Sequence, residues 1–235
     1  MSPYLDMNSM VFKIEQASEK HIQYAEAICN EMEASAKVRR TGIAKRSPEY
    51  LEKKMLQGNA IIALTENGDW AGFCYIETWS HEKFVANSGL IVSPEFRQFG
   101  LAKKIKQAVF NLSRTKYPDS KIFGLTTGLA VMKINSDLGY EPVTYSELTQ
   151  DEDFWKGCSS CVNFEILKSK DRKNCMCTAM LWDPAEKEKE KRLKIEQKSL
   201  AKERLRNMKK KQSLFKIISQ KLKGNKKIIT LFFNY

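Results

Sequence analysis

The chain has 235 residues, 42% of them hydrophobic, enough for one good core and an appendage. Its net charge of +12 is confined to one end: residues 185–235 hold 17 Lys and Arg against 5 Glu, while residues 1–184 balance. No apolar run approaches the roughly 20 residues that a membrane span needs, and six cysteines with no visible export signal read as thiols or metal ligands rather than a disulfide framework, so a cytoplasmic protein is expected.

In chain order, Phe12 and Ile14 alternate with polar residues and predict a first strand, and Ser18 can cap a helix whose apolar period runs through Ile22, Ala25, Ile28 and Met32. A basic loop from Lys37 to Arg46 separates it from a second helix, with Ser47 as cap and Pro48 in first position. Ala60–Thr65, Trp70–Trp79 and Phe84–Val92 read as strands, the first two joined at Asn67-Gly68, a hairpin signal. A helix over 101–117 carries Ile105, Val109 and Leu112 on one stripe. A strand over 121–127, a helix ending at Gly139 and a short strand over 142–145 complete the order β-α-α-β-β-β-α-β-α-β.

Between the third internal strand and its helix lies Arg97-Gln98-Phe99-Gly100-Leu101-Ala102. A strand-to-helix junction of this kind aims backbone N–H groups at one point, at the positive end of a helix dipole, which suits a pyrophosphate. Gly100 removes a Cβ from the approach, Ala102 keeps the first turn slim, and Arg97 can add a charge. Walker-type and dinucleotide loops are excluded, because their lysine and remaining glycines are missing.

The pattern Arg97-x-x-Gly100-x-Ala102 resembles the acyl-coenzyme A loop of the GCN5-related N-acetyltransferases, and the element order over residues 11–147 is similar to that fold. The resemblance implies an α/β architecture: a mixed, mostly antiparallel sheet flanked by helices, here spanning 1–150. Residues 151–184 then form a cysteine-containing extension, and 185–235 a basic helical tail. The phrases Arg40-Thr41-Gly42-Ile43-Ala44-Lys45-Arg46-Ser47-Pro48-Glu49-Tyr50, Gly72-Phe73-Cys74-Tyr75-Ile76-Glu77-Thr78-Trp79 and Phe154-Trp155-Lys156-Gly157-Cys158 resemble one subfamily in Bacteroidetes-type bacteria, associated with arginine biosynthesis. That resemblance implies acylation of glutamate, with acetyl- or succinyl-coenzyme A as donor.

Several site roles follow from the fold resemblance. The pantetheine arm would pair with backbone near Leu90, Ile91 and Val92, and main-chain amides from Arg97 through Gln98, Phe99, Gly100 and Leu101 to Ala102 would hold the diphosphate. Glu77, toward the end of its strand, is the candidate base, against the alternative of an edge residue facing solvent; His81 reads as a loop histidine. Many such enzymes use a tyrosine as acid five residues before the aromatic of a Leu-Gly-aromatic ending. Here the ending is Leu138-Gly139-Tyr140 and the position holds Asn135, which cannot give up a proton. Water, Tyr140 or Tyr145 are the remaining donors. Lys37, Arg39, Arg40, Lys45 and Arg46 put five cations in ten residues where the acceptor is read, which favours a small anionic amine.

Cys158-x-x-Cys161 and Cys175-x-Cys177 suit either a tetrahedral structural zinc or buried thiols, with Val162–Leu167 between them alternating as a strand would. The tail is rich in helix formers but sparse in apolar residues, which fits a solvated helix. Contact with nucleic acid through its charge stays open but is not favoured, since no aromatic interrupts 185–213. The apolar run ending the chain could pack on the domain or on a second copy, leaving a homodimer open.

Overall fold

Alternation along the strands decides which layer covers which face. The structure, a computed structural model, describes residues 10–39 and 41–232. Strands β1 (Phe12–Gln16), β2 (Ala60–Thr65), β3 (Trp70–Trp79), β4 (Phe84–Val92), β5 (Lys121–Thr126), β6 (Glu141–Val143) and β7 (Thr178–Trp182) form one sheet in the order β1-β2-β3-β4-β5-β7-β6. All neighbours are antiparallel except β4 and β5, which are parallel. The mixed, mostly antiparallel sheet flanked by helices expected from the sequence is present.

Ile61, Ala63, Cys74, Ile76 and Val85 point to one face and pack under Leu101, Ile105 and Val109 of helix α3 (Leu101–Lys116). Ile62, Phe73, Tyr75 and Ile91, one residue out of phase, point to the other. There they meet Ala25, Ile28 and Met32 of α1 (Ala25–Arg39) and Leu51 and Met55 of α2 (Pro48–Leu56). The Ser47 hydroxyl accepts from the Tyr50 amide at 3.3 Å with Pro48 in the first turn, so α2 starts where its cap dictates. Helix α1 is preceded by a 3-10 turn over Glu19–Tyr24, later than Ser18 alone would indicate. The β2–β3 turn closes through the Gly68 amide on Thr65 O at 3.1 Å, with Gly68 at φ +89°.

Helix α4 (Leu129–Asp137) follows β5. After β6 the chain forms two short helices, α5 (Glu152–Lys156) and α6 (Phe164–Ser169), before returning as β7. The strand expected over 162–167 is corrected here: Phe164 and Leu167, three residues apart, are the pair that joins the core, and Val162 is exposed. Tyr145, Leu148, Trp155 and Leu167 build a third cluster over Phe123, Ala179 and Leu181. Helix α7 (Pro184–Phe232) continues the chain. Residues 1–184 and 185–235 are separate compact units. Within the second, Leu193, Leu200 and Leu205 are all exposed.

Candidate active site

The strand-to-helix junction has the construction that its sequence demands. Pro94–Phe96 makes a 3-10 turn, Gln98 takes φ +81°, and Gly100 takes φ +70° as the residue before α3. A Cβ added at Gly100 would meet nothing within 4 Å, so the space above it is open. Among the described residues no side chain caps α3 and no acid stands in its first turn. The positive end of a sixteen-residue helix therefore faces that opening unneutralised. Arg97 turns away from it: Nη2 donates to Glu31 Oε1 at 2.8 Å and Ser35 Oγ at 2.5 Å, and Nε to Val92 O at 3.2 Å. Its described partners tie the loop to α1.

Strand β4 leads into this loop with one edge bare. It pairs with β5 only over Phe84–Ala86 against Lys121–Phe123, and then the two strands diverge. On its other side β4 stays paired with β3 as far as Gly72↔Val92, with a register shift opposite Phe73/Tyr75. Gly89 sits in that irregularity at φ +66°, and a Cβ there would come within 2.6 Å of the Tyr75 ring. Leu90, Ile91 and Val92 therefore present backbone along the gap while their side chains join the cores on the two faces.

Beside the irregularity lies a cage of charged and aromatic groups. Arg46 Nε donates to Tyr75 Oη at 2.5 Å, and its guanidinium stands 5.9 Å from the centroids of both Tyr50 and Tyr75. Tyr50 Oη donates to Glu77 Oε2 at 2.6 Å, and Lys54 forms an ion pair with the same carboxylate. Burial pushes the Tyr50 and Tyr75 hydroxyls up, so both stay protonated. Burial alone would lower Arg46, but Tyr75, Tyr50 and Glu77 outweigh it and hold the guanidinium up.

Where β4 and β5 part, a second polar group gathers. A Cβ on Gly124 would lie 3.5 Å from Asn87 O, 3.9 Å from Lys106 Nζ and 4.0 Å from Asn135 Nδ2. Asn135 is buried, its Nδ2 lies 3.6 Å from Met180 Sδ, and its Oδ1 has no hydrogen-bond partner among the described residues. Tyr140 is packed in the core and donates to Asn87 Oδ1 at 2.9 Å, with burial holding its hydroxyl well above the usual phenol range.

No protein-family model matches the sequence, and no curated protein matches it. Solved structures do. The chain is similar to N-acetylglutamate synthase from Neisseria gonorrhoeae complexed with coenzyme A and N-acetyl-glutamate: TM-score 0.53, 18% identity, 74% of this chain and 35% of that one. An acetyltransferase of the GNAT family from Staphylococcus aureus gives a TM-score of 0.52 at 14% identity, over 74% and 99%. A Mycobacterium tuberculosis protein in complex with CoA gives 0.52 at 15%, over 73% and 98%. The fold is that of the GCN5-related N-acetyltransferases. The chain spans only about a third of the gonococcal synthase's length, by the 35% just given.

Set in the acetyltransferase fold, the candidate residues separate into three groups. Leu90 to Val92 lie on the β4 edge that β5 leaves bare, and Arg97 to Ala102 form the turn and helix start that follow it. Glu77 and Arg46 meet in the cage, together with Tyr50, Lys54 and Tyr75, which sequence reasoning did not select. Their signal was available: Tyr50 and Lys54 are four apart on one helix face, and Tyr75 and Glu77 two apart on one strand face. The remaining basic-loop residues do not converge there. Lys37 is exposed, Lys45 pairs at 3.4 Å with Glu33 on the surface, and Arg39 is pushed down by burial and the neighbouring Arg97. Arg40 lies outside the described residues. His81 is exposed in a turn where Ser80, His81 and Glu82 all have positive φ.

The structure gives the zinc alternative no support. Cys158, Cys161, Cys175 and Cys177 line one pocket with Tyr145, Trp155 and Phe164, but among the described residues no group of three or more His, Cys, Asp or Glu stands close enough to hold a metal. The intervening segment is α6 rather than a strand, and its Phe164 and Leu167 line the same pocket and join the third core cluster. Burial pushes Cys158 up to about 11 and Cys177 up to about 12, so both are neutral thiols at physiological pH. The turn between Cys158 and Cys161 also anchors the basic loop, since Ser160 Oγ accepts from the Lys45 amide at 2.9 Å.

Proposed function

We propose that the chain is an acyl-coenzyme A-dependent N-acyltransferase that acylates the amino group of a small anionic acceptor, with glutamate the leading candidate and acetyl or succinyl the acyl group. The observation that carries the reading is the bare β4 edge running into the uncapped, acid-free start of α3. The residues fit the carrier in length as well as charge. Its pantetheine arm has about twelve chain bonds, the length of about four extended residues, roughly 13 Å. Ser88 to Val92 spans four such steps of bare β4 edge, enough for such an arm to lie alongside. Bound there, the thioester supplies the activated acyl group.

The chain's own groups supply position and proton transfer. Main-chain amides along β4 orient the arm, which removes much of the entropic barrier. Glu77 in the cage takes the proton that the attacking amine loses, directly or through one water, once Tyr50 or Lys54 yields a place on its carboxylate. Arg46, fixed between two phenols, is the cation placed to read an acceptor carboxylate. Support for glutamate comes from the subfamily phrases and from the gonococcal synthase, which was crystallised with N-acetyl-glutamate.

The test is release of free thiol from acetyl- and succinyl-coenzyme A in the presence of single amino acids. Turnover with glutamate, and little with lysine or neutral amino acids, is expected. Tight coenzyme binding with no turnover of any amine would mark a non-catalytic binding module instead. A second reading, a protein or RNA-associated acceptor recruited by charge, is favoured by the 17 basic residues gathered in 185–235.

A further inference from the structure

Lys106 is a charged residue on the buried stripe of α3. It is 2% exposed, and the Cys74 thiol of β3 is a titratable neighbour acting on it. Among the described residues no carboxylate pairs with it. A buried ammonium without a counter-ion is costly, and it persists where it has work to do. Its Nζ lies 5.3 Å from the centre of the Tyr140 ring and faces the Gly124 position, beside Asn135 with its partnerless Oδ1. Gly124 and Asn87 are the first residues beyond the last β4–β5 pair, so the ammonium stands at the fork itself.

We infer that Lys106 is the general acid of this chain: its ammonium donates the proton that the coenzyme A sulfur takes as the thioester breaks. The inference rests on the acyltransferase reading and supplies the donor that Asn135 cannot be. In the step, the acceptor nitrogen forms a bond to the acyl carbon and the carbon–sulfur bond breaks. Sulfur keeps the electron pair and takes a proton from Nζ, leaving a neutral amine. The proton lost by the acceptor nitrogen passes to Glu77 and water, and Lys106 regains one from solvent as the thiol leaves. The groups around Nζ favour this direction. Burial pushes Lys106 down to about 8, within reach of transfer at neutral pH, while Cys74 is pushed up to about 11 and Tyr140 well above its usual range, so neither competes as donor.

The test compares wild type with Lys106→Met by coenzyme A affinity, by the titration of the bound coenzyme thiol (followed by thiolate absorbance), and by the pH profile of kcat. Wild-type turnover is expected to fall as pH climbs through about 8, because the protonated form is the donor. Lys106→Met is expected to keep its fold and bind coenzyme A, lose about 100-fold or more in kcat with that alkaline fall abolished, and raise the bound thiol's titration by about one unit. A variant with near wild-type kcat and an unmoved thiol titration would overturn the inference and leave the acyltransferase reading standing. A wild-type chain that binds no coenzyme A removes both. Should Lys106→Met not fold, the Nζ resonance of labelled wild type decides. Addition of coenzyme A at alkaline pH should raise the Lys106 titration, and an unchanged titration overturns the role.

Discussion

Two glycines beside the gap separate strain from collision. Gly100 and Gly89 both hold positive φ, +70° and +66°, but a side chain at 100 meets open space while one at 89 meets the Tyr75 ring. Gly100→Ala should cost about 1 kcal/mol in a urea titration and weaken coenzyme A about tenfold by calorimetry, since the methyl stands in the approach to the amides. Gly89→Ala adds overpacking to backbone strain and should cost about 3 kcal/mol, disturbing the cage as well. Gly89 was legible as a glycine inside a strand, a common mark of a bulge. Lys106 was legible too, for it is four residues from Ala102, three from Val109 and seven from Ser113, and so lies on the buried stripe. Composition hides it among 40 basic residues that mostly face solvent.

At the scale of elements, β2, β3 and β4 have the bounds read from their apolar and aromatic runs and the Asn67-Gly68 turn, because local pattern and tertiary burial agree there. Strand β7 was not anticipated. Thr178–Trp182 is five residues long and carries no turn signal of its own, and only long-range pairing with β5 and β6 makes it a strand. The cage is a meeting of elements in the same sense, since α2 brings Tyr50 and Lys54 to Glu77 of β3 and the basic loop brings Arg46. Glu77→Gln keeps the shape and the Tyr50 hydrogen bond but removes the base. It should lower kcat about 100-fold by thiol release, and it should also lower the melting temperature in calorimetry, because the buried Lys54 ammonium loses its carboxylate partner. A loss confined to KM would instead make Glu77 an acceptor contact.

Over the whole molecule, charge and fold are segregated. Residues 1–184 carry the sheet and every candidate site residue, and 185–235 carry the excess of positive charge. A chain ending at Pro184 should therefore retain thiol release with glutamate within about twofold, since the excess charge lies outside the unit that carries the site. Loss of turnover would favour the macromolecular acceptor. The sheet order has a temporal meaning as well. β6 is made before β7 but, among the described strands, pairs with β7 alone, which fits between it and β5. A nascent chain that has finished β6 must carry it, and the raw edge of β5, through some thirty-five more residues of synthesis before either is covered. Ribosomal pausing or a chaperone would have its greatest influence in that interval, when two unprotected strand edges wait for the third to emerge.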